Sequence, residues 1–426
     1  MRLPGRVSAA IEILDEITQR HRPASEALKD WGKAHRFAGA GDRHGIGTLV
    51  YDTLRHKASA AHRMNSEAPR ALVLATLHAT WGMGAGDIAA LSDGEHGPSQ
   101  PSNDELAAIT RTISDAPPHV AGDFPAWLSP SLARVFGDGA AAEGAALAER
   151  APIDLRVNTL KADRAKVLAS LSRFGATDGP FAPTALRIAA PGPDQKHVSV
   201  EAEPAHGMGW FEVQDAASQI AAGLTGVQPG ERVADICAGA GGKTLALAAL
   251  MKNEGSIAAH DRDRHRLRPI FERMGRSGAT NIDVLAAEEG GKLAAGSFDC
   301  VVVDAPCTGT GTWRRKPDAK WRLTEKSLAI RIKEQRDVLT RGAELVKAGG
   351  RLAYFTCSLL PDENSEQVAW FLRSQPAFRI MPTATLWPVH LPGTVPRSAD
   401  GATDTLLLTP RQHGTDGFFV CVMQKA

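Results

Sequence analysis

A glycine-rich turn set between a strand pattern and a helix pattern constrains this chain more than any other feature. Arg232 to Thr244 reads RVADICAGAGGKT: a short run suited to a buried strand, then Gly239, Gly241 and Gly242, then the apolar helix-forming run KTLALAALM. Glycines let a backbone turn tightly and approach a ligand closely. The next strand pattern, SIAAH, is followed by Asp261, twenty residues beyond Gly241, the separation at which a carboxylate commonly meets a ribose hydroxyl. Together these predict a cradle for an adenosine-containing cofactor. Two other readings compete. The turn is a mere tight connection in one; in the other it is a phosphate-binding loop, because Gly242-Lys243-Thr244 ends like one and FDCVVVD (298–304) could serve as its partner strand. The first glycine of such a loop falls at Cys237, which weighs against it.

Around this turn strands and helices alternate: strand 232–236, helix, strand 256–260, helix 263–276, strands 281–285 and 298–303, helix 325–347, strand 351–356, helix 362–373. That order predicts an α/β fold with a doubly wound parallel sheet. WFEVQDAASQIAAGL leads into it as a strand, a helix cap at Asp215 and a helix, and TLLLTP and DGFFVCVMQ close the chain as an antiparallel pair at the sheet edge. Upstream, residues 1–82 carry apolar residues at spacings of three and four and predict an all-α bundle, with Ser25 and Asp42 as N-caps. Residues 83–124 are acidic and rich in turn formers and read as a linker. Residues 125–208 predict a small α/β module, and 209–426 the main domain.

Composition excludes some classes. The chain has 426 residues, 43% hydrophobic and 23% charged, with a net charge of +1, so no gross attraction to nucleic acid appears in the total. No apolar run reaches spanning length and no signal-peptide pattern is present, so the cytoplasm is the expected location. Five widely spaced cysteines imply reduced thiols rather than a disulfide framework, and no Cys-x-x-Cys pair suggests a metal. Charge is concentrated locally: Trp313 to Arg336 holds nine Lys/Arg against three Asp/Glu, which marks a polyanion partner. Trp313 and Trp321 within it read equally as base-stacking platforms or as plugs of a core edge. Residues 1–80 hold 12 Lys/Arg against 8 Asp/Glu, a smaller excess on a bundle. Arg156 and Asn158 share one face of a strand in the small module and suit either RNA contact or an ordinary half-buried strand.

In a parallel sheet, ligands collect at the carboxyl ends of strands. Three of those ends carry reactive groups: the glycine turn, Asp304-Ala305-Pro306-Cys307, and Thr356-Cys357-Ser358. Cys237, Cys300 and Cys421 read as buried packing residues. Cys307 and Cys357 instead face one cleft, where a nearby lysine and arginines would favour a thiolate, so a nucleophilic role is reasonable for either.

The stretches LRVNTLK, VQDAASQ, DICAGAGGKT, DAPCTGTGTWRRKPDAKW, YFTCSLLPDENSEQV and HGTDGFF resemble the RsmB/Sun family of S-adenosylmethionine-dependent rRNA cytosine-5 methyltransferases, and the first 80 residues are similar to its NusB-like RNA-binding domain. The resemblance implies a Rossmann-like methyltransferase sheet preceded by a small α/β module and a NusB-like bundle, acting as a monomer on RNA without metal or membrane. It implies Cys357 as nucleophile, Cys307 as the cysteine that assists release, and Asp304 and Lys243 as groups that meet cofactor and target base. It implies further cofactor contacts from Cys237, Ala238, Gly239, Ala240, Gly241, Gly242, Asp261, Arg266 and Glu288. RNA contacts are expected from Arg156, Asn158, Arg314, Arg315, Lys316 and Lys320. The chain departs from the family in two places: Gly239-Ala240 replace Ala-Pro in the turn, and Ala287-Glu288 stand where the family has an aspartate beside the adenine. A ribosome-assembly factor using the fold as a binding platform and a tRNA methyltransferase are the alternatives.

Overall fold

The computed structural model describes residues 1–93, 96–192 and 198–426, which divide into two compact units. Residues 94–95 of the expected linker and 193–197 of the expected small module lie outside the described residues. The first unit comprises Met1–Arg150, Pro191, Gly192 and Trp313–Leu323. Helices Leu3–Arg20, Ala24–Ala34, Ala40–Arg55, Lys57–Met64 and Pro69–Ala79 form its bundle. Their apolar stripes meet in one core that contains Ile13, Leu14, Ile46, Leu49 and Leu77. Neither expected cap is the cap. Pro23 and Gly39 precede the two helices, and Asp42 sits one turn in, where its carboxylate accepts from the Gly39 N–H at 3.2 Å.

The stretch read as a linker is not one. Helices Ala85–Ala89 and Asn103–Ala108 lie in it, and Ile88, Leu91, Ala108 and Ile109 enter the bundle core. A handful of apolar anchors suffices to dock a segment whose average composition is acidic. Helices Ser129–Phe136 and Ala140–Ala148, expected in the small module, belong to this unit as well.

The second unit carries twelve strands among the described residues. They are β1 (Ile153–Val157), β2 (Thr177–Asp178), β3 (Ala185–Ile188), β4 (Phe211–Val213), β5 (Arg232–Asp235), β6 (Ser256–Ala259), β7 (Ile282–Val284), β8 (Phe298–Asp304), β9 (Val346–Thr356), β10 (Phe378–Ile380), β11 (Leu406–Leu408) and β12 (Phe418–Lys425). The first four form an antiparallel sheet in the order β2-β3-β1-β4. The rest form one sheet in the order β10-β12-β9-β8-β5-β6-β7, with β11 pairing β12. β5 to β9 run parallel, with Ala234 opposite Ala258 on one side and Val301 on the other. β12 enters antiparallel beside β9 and is covered by β10, so it is not the sheet edge that its position near the chain end suggested. β8 is buried from Cys300 to Val303 because helices cover both faces of a parallel sheet, and each such valine contributes about 1.5–3 kcal/mol relative to exposure. Strand order reverses between β5 and β8, and the crevice at that switch point receives the loops that carry the thiols and the glycines.

Candidate functional site

The glycine turn follows β5 and leads into helix Gly242–Leu250. Gly241 has φ +81°, and a Cβ there would strike Ile270, so only glycine fits. Gly239 has φ +50°, and a Cβ there would make only ordinary contacts with the ends of Arg266 and Asp261. The turn is tied from below by Asp261, buried at 2% exposure, whose Oδ2 accepts from the Gly239 N–H at 3.0 Å and whose Oδ1 accepts from the Asp263 N–H at 2.9 Å. Arg273 ties it from outside by donating to the Ala240 carbonyl at 2.7 Å. Beneath the turn, burial pushes Asp235 up to about 7, against the opposing bond from the Thr244 hydroxyl at 2.7 Å.

A cavity of about 340 Å³ opens beside this turn, within the size range of small-molecule sites. Ile236, Ala287, Leu293, Pro306 and Val338 give it apolar walls, and Asp261 and Arg266 give it a polar end. Glycines 290 and 291 line it without side chains, and Arg341 holds that segment by donating to the carbonyls of Gly290 and Leu293 at 3.1 and 3.0 Å.

Beyond the cavity stand the reactive groups. Lys243 Nζ, 9% exposed, lies 2.7 Å from Asp304 Oδ2 and 4.8 Å from the centre of the Phe418 ring. Cys307 follows β8, Cys357 follows β9, and their sulfurs are 3.3 Å apart. The contact with Cys357, with burial, pushes the Cys307 thiol well above its usual range, which favours its protonated form. The two turns are locked together: the Gly311 N–H donates to the Cys357 carbonyl at 2.9 Å, and the Leu359 N–H to the Thr310 hydroxyl at 2.8 Å. Gly311 and Gly417 pack backbone to backbone, which explains the glycine of the closing HGTDGFF stretch.

The structure thus brings Cys357, Cys307, Asp304, Lys243, Asp261, Arg266 and the 237–243 turn to one end of the sheet. It does not bring Glu288 there. Glu288 is exposed on a 3-10 turn that presents Ala287 to the cavity instead. Arg156 and Asn158 do not face RNA either. Arg156, 4% exposed, donates to Gln214 at 2.7 Å, and Asn158, 3% exposed, donates to the carbonyls of Gly209 and Ser277, both at 2.8 Å. Their strand is covered on both faces, and burial pulls Arg156 down to about 10.

The basic stretch divides. In the helical unit Lys320 is buried, its ammonium donating to the carbonyls of Arg55 and Asp123 at 2.7 and 2.6 Å, and burial pulls it down to about 7. Trp313 and Arg314 are buried too, and Trp321 packs on the bundle with its indole N–H on the Leu54 carbonyl at 2.6 Å. The plug reading of the tryptophans holds, and only Arg315 and Lys316 of the expected basic contacts are exposed. Sequence reasoning gave no role to Glu363, Asn364, Gln335 or Arg341; of these, Glu363 and Asn364 stood inside a matching stretch.

Residues 223–424 match the family model described as 16S rRNA methyltransferase RsmB/F, and residues 124–194 match the RsmF/B-like ferredoxin-like domain. The chain is 34% identical over 311 residues to the probable ribosomal RNA small subunit methyltransferase B of Synechocystis, an alignment covering 71% of this chain and 67% of that protein. It is 33% identical over 332 residues to the protein of the same description from Bacillus subtilis, covering 76% and 70%. Among solved structures, a methyltransferase homolog from Pyrococcus horikoshii is similar with a TM-score of 0.60 and 28% identity, over 74% of this chain and 100% of that one. Among the described residues no helix is long and apolar enough to cross a membrane, and no cluster of metal-ligating side chains occurs.

Proposed function

The chain belongs to the RsmB/F family of 16S rRNA methyltransferases, and we propose that it methylates carbon 5 of a cytosine in small-subunit rRNA, with Cys357 as nucleophile and Cys307 serving release. The observation that carries this reading is the pair of sulfurs 3.3 Å apart at adjacent strand ends, beside the Lys243–Asp304 pair. A binding platform has no physical need of both thiols.

The cavity fits S-adenosylmethionine: its apolar walls suit an adenine, Asp261 retains unused lone pairs for ribose hydroxyls, and the side-chain-free glycines leave room for close approach. When bound, that cofactor supplies an electrophilic methyl group. Carbon 5 of cytosine is a poor nucleophile by itself. Addition of the Cys357 sulfur to carbon 6 turns the ring into an enamine whose carbon 5 can take the methyl. The raised Cys307 thiol is the poorer source of an attacking thiolate, which supports Cys357 as the sulfur that attacks. Lys243 and Asp304, held against each other, offer hydrogen bonds to the base edge where charge develops in the ring. Afterwards the carbon-5 proton must leave before the carbon–sulfur bond can break, and Cys307 stands next to that bond.

The test is a pair of single mutants with radiolabelled methyl donor and rRNA. Cys357→Ala should give neither methyl transfer nor a protein–RNA adduct. Cys307→Ala should methylate once and stall with RNA attached, visible on a denaturing gel. An adduct accumulating in Cys357→Ala and absent in Cys307→Ala would reverse the assignment, and no transfer by the parent protein to any RNA would favour the platform.

A further inference from the structure

The residues on either side of Cys307 are held by one buried carboxylate. Glu363, wholly buried, accepts from the Thr308 N–H at 2.8 Å and from Gln335 Nε2 at 2.9 Å on one oxygen, and from the Thr308 hydroxyl on the other. The same Gln335 nitrogen donates to the Pro306 carbonyl at 3.0 Å, so the turn is fixed before and after Cys307. The Tyr354 hydroxyl in turn donates to the Glu363 carbonyl at 2.6 Å. The next residue does the same for the other thiol: Asn364 accepts from the Thr356 hydroxyl at 2.5 Å and donates to the Ser358 carbonyl at 2.9 Å, on either side of Cys357. Burying a carboxylate among neutral donors is unfavourable, and burial indeed raises Glu363 above the usual range while hydrogen bonds from Ser358, Thr308 and Gln335 oppose the rise. A hydrophobic or amide residue would hold a merely structural turn with less penalty.

We infer that Glu363 is a positioning residue for Cys307, holding the Pro306–Thr308 turn so that the Cys307 sulfur faces the adduct formed on Cys357 and product release can follow methyl transfer. The inference rests on the assignment of Cys307 to release. In that step the carbon-5 proton passes to the Cys307 sulfur, the electrons of its bond re-form the ring double bond, and the Cys357 sulfur departs with the electrons of the carbon–sulfur bond. Cys307 must have shed its own proton first. The titratable groups facing it are Cys357, Glu363 and Tyr354. What holds its proton in the resting site is, in order, the hydrogen bond with Cys357, burial, the Cys357 charge and the Glu363 charge. A thioether at Cys357 can carry no charge and is a poorer acceptor, so two of those influences are weakened or removed. The Cys307 proton is then easier to lose to solvent, while Glu363 keeps the resulting thiolate basic enough to take the carbon-5 proton. The order of events is built into the pair: release chemistry becomes available after attack has occurred.

Glu363→Gln keeps the shape and removes the charge, since the amide oxygen can still accept from the Thr308 N–H and Gln335. In the full-length protein with radiolabelled donor and rRNA, single-turnover methyl transfer should stay within about twofold, while the adduct on Cys357 persists about tenfold longer or more. The pH at half-maximal release should also move down, because a less basic Cys307 deprotonates sooner. Thr308→Val, which loses the hydroxyl bond and keeps the carboxylate, should lengthen the adduct lifetime without moving that pH. An unchanged lifetime and pH profile in Glu363→Gln would overturn the inference, as would loss of transfer and adduct together with RNA and cofactor still bound, which would tie Glu363 to attack. Should Glu363→Gln fail to fold, Thr308→Val decides by whether it lengthens the lifetime. Cys307→Ala separates the two levels: if it releases normally the release assignment itself fails, and if it stalls while Glu363→Gln does not, only the role of Glu363 falls.

Discussion

Replacing Asp261 by asparagine is the sharpest perturbation of the proposed cofactor cradle, because the change is nearly isosteric and yet removes one of the two acceptor oxygens. The carboxylate is 2% exposed and accepts two backbone N–H groups, Gly239 at 3.0 Å on one oxygen and Asp263 at 2.9 Å on the other. Asparagine offers one oxygen, so its NH₂ must face one of those N–H groups, donor against donor. A buried N–H left without an acceptor costs about 1–3 kcal/mol, and losing a charge-assisted bond to a ribose hydroxyl about 1.5–3 kcal/mol. If the turn relaxes to relieve the first, the cradle is no longer preorganised and the two losses overlap. S-adenosylmethionine affinity should therefore fall roughly ten- to a hundredfold by calorimetry, each tenfold being about 1.4 kcal/mol. Arg266→Ala should cost less, within about threefold, because its guanidinium is 56% exposed and 3.7 Å from the carboxylate, where solvent and salt screen it. Affinity of Asp261→Asn within twofold of the parent would refute the reasoning. Tight ATP binding without binding of S-adenosylmethionine would return the phosphate-loop reading.

Gly241→Ala should destabilise the second unit by about 2–4 kcal/mol in chemical denaturation, since a Cβ at φ +81° meets Ile270, whereas Gly239→Ala, with only ordinary contacts to Arg266 and Asp261, should cost just the positive-φ strain of about 1–2 kcal/mol; the reverse order would count against the packing argument. Neutralising Arg315 and Lys316 together should flatten the slope of log RNA affinity against log salt by about one to two units without loss of stability, and an unchanged slope would place the RNA elsewhere. Lys320, held near 7 in the fold against its ordinary 10.5, binds fewer protons folded than unfolded between those values, so its contribution to stability is present above the unfolded value and is lost as pH falls through about 7. Lys320→Met should reduce the rise of stability between pH 7 and 9 by up to about 1.4 kcal/mol per unit, and denaturation curves with the parent's pH slope would contradict it.

The fold and the gathering of Cys307, Cys357, Lys243 and Asp304 at one end of the sheet were legible because their signals are local. Strand and helix periods, the spacing from Gly241 to Asp261, and cysteines directly after apolar strands each need only a few neighbouring residues. What failed needed knowledge of what covers a side chain. Alternation in IDLRVNTL groups Arg156 and Asn158 on one face, but only the fold supplies Gln214, Gly209 and Ser277 to bury them. Lys320 stands amid exposed charges in sequence, yet its acceptors are the carbonyls of Arg55 and Asp123, hundreds of residues away. The acidic stretch hid Ile88, Leu91, Ala108 and Ile109 because averaging over forty residues dilutes four anchors. Glu363 and Asn364 resemble an ordinary acidic and polar start to helix Ser365–Ser374, a place where such residues usually meet water. Their neighbours are instead the turns that carry both thiols. A charge count therefore locates a polyanion surface only after desolvation is known, and a carboxylate or amide that remains in the interior is recognised only once the groups that bond it are in place.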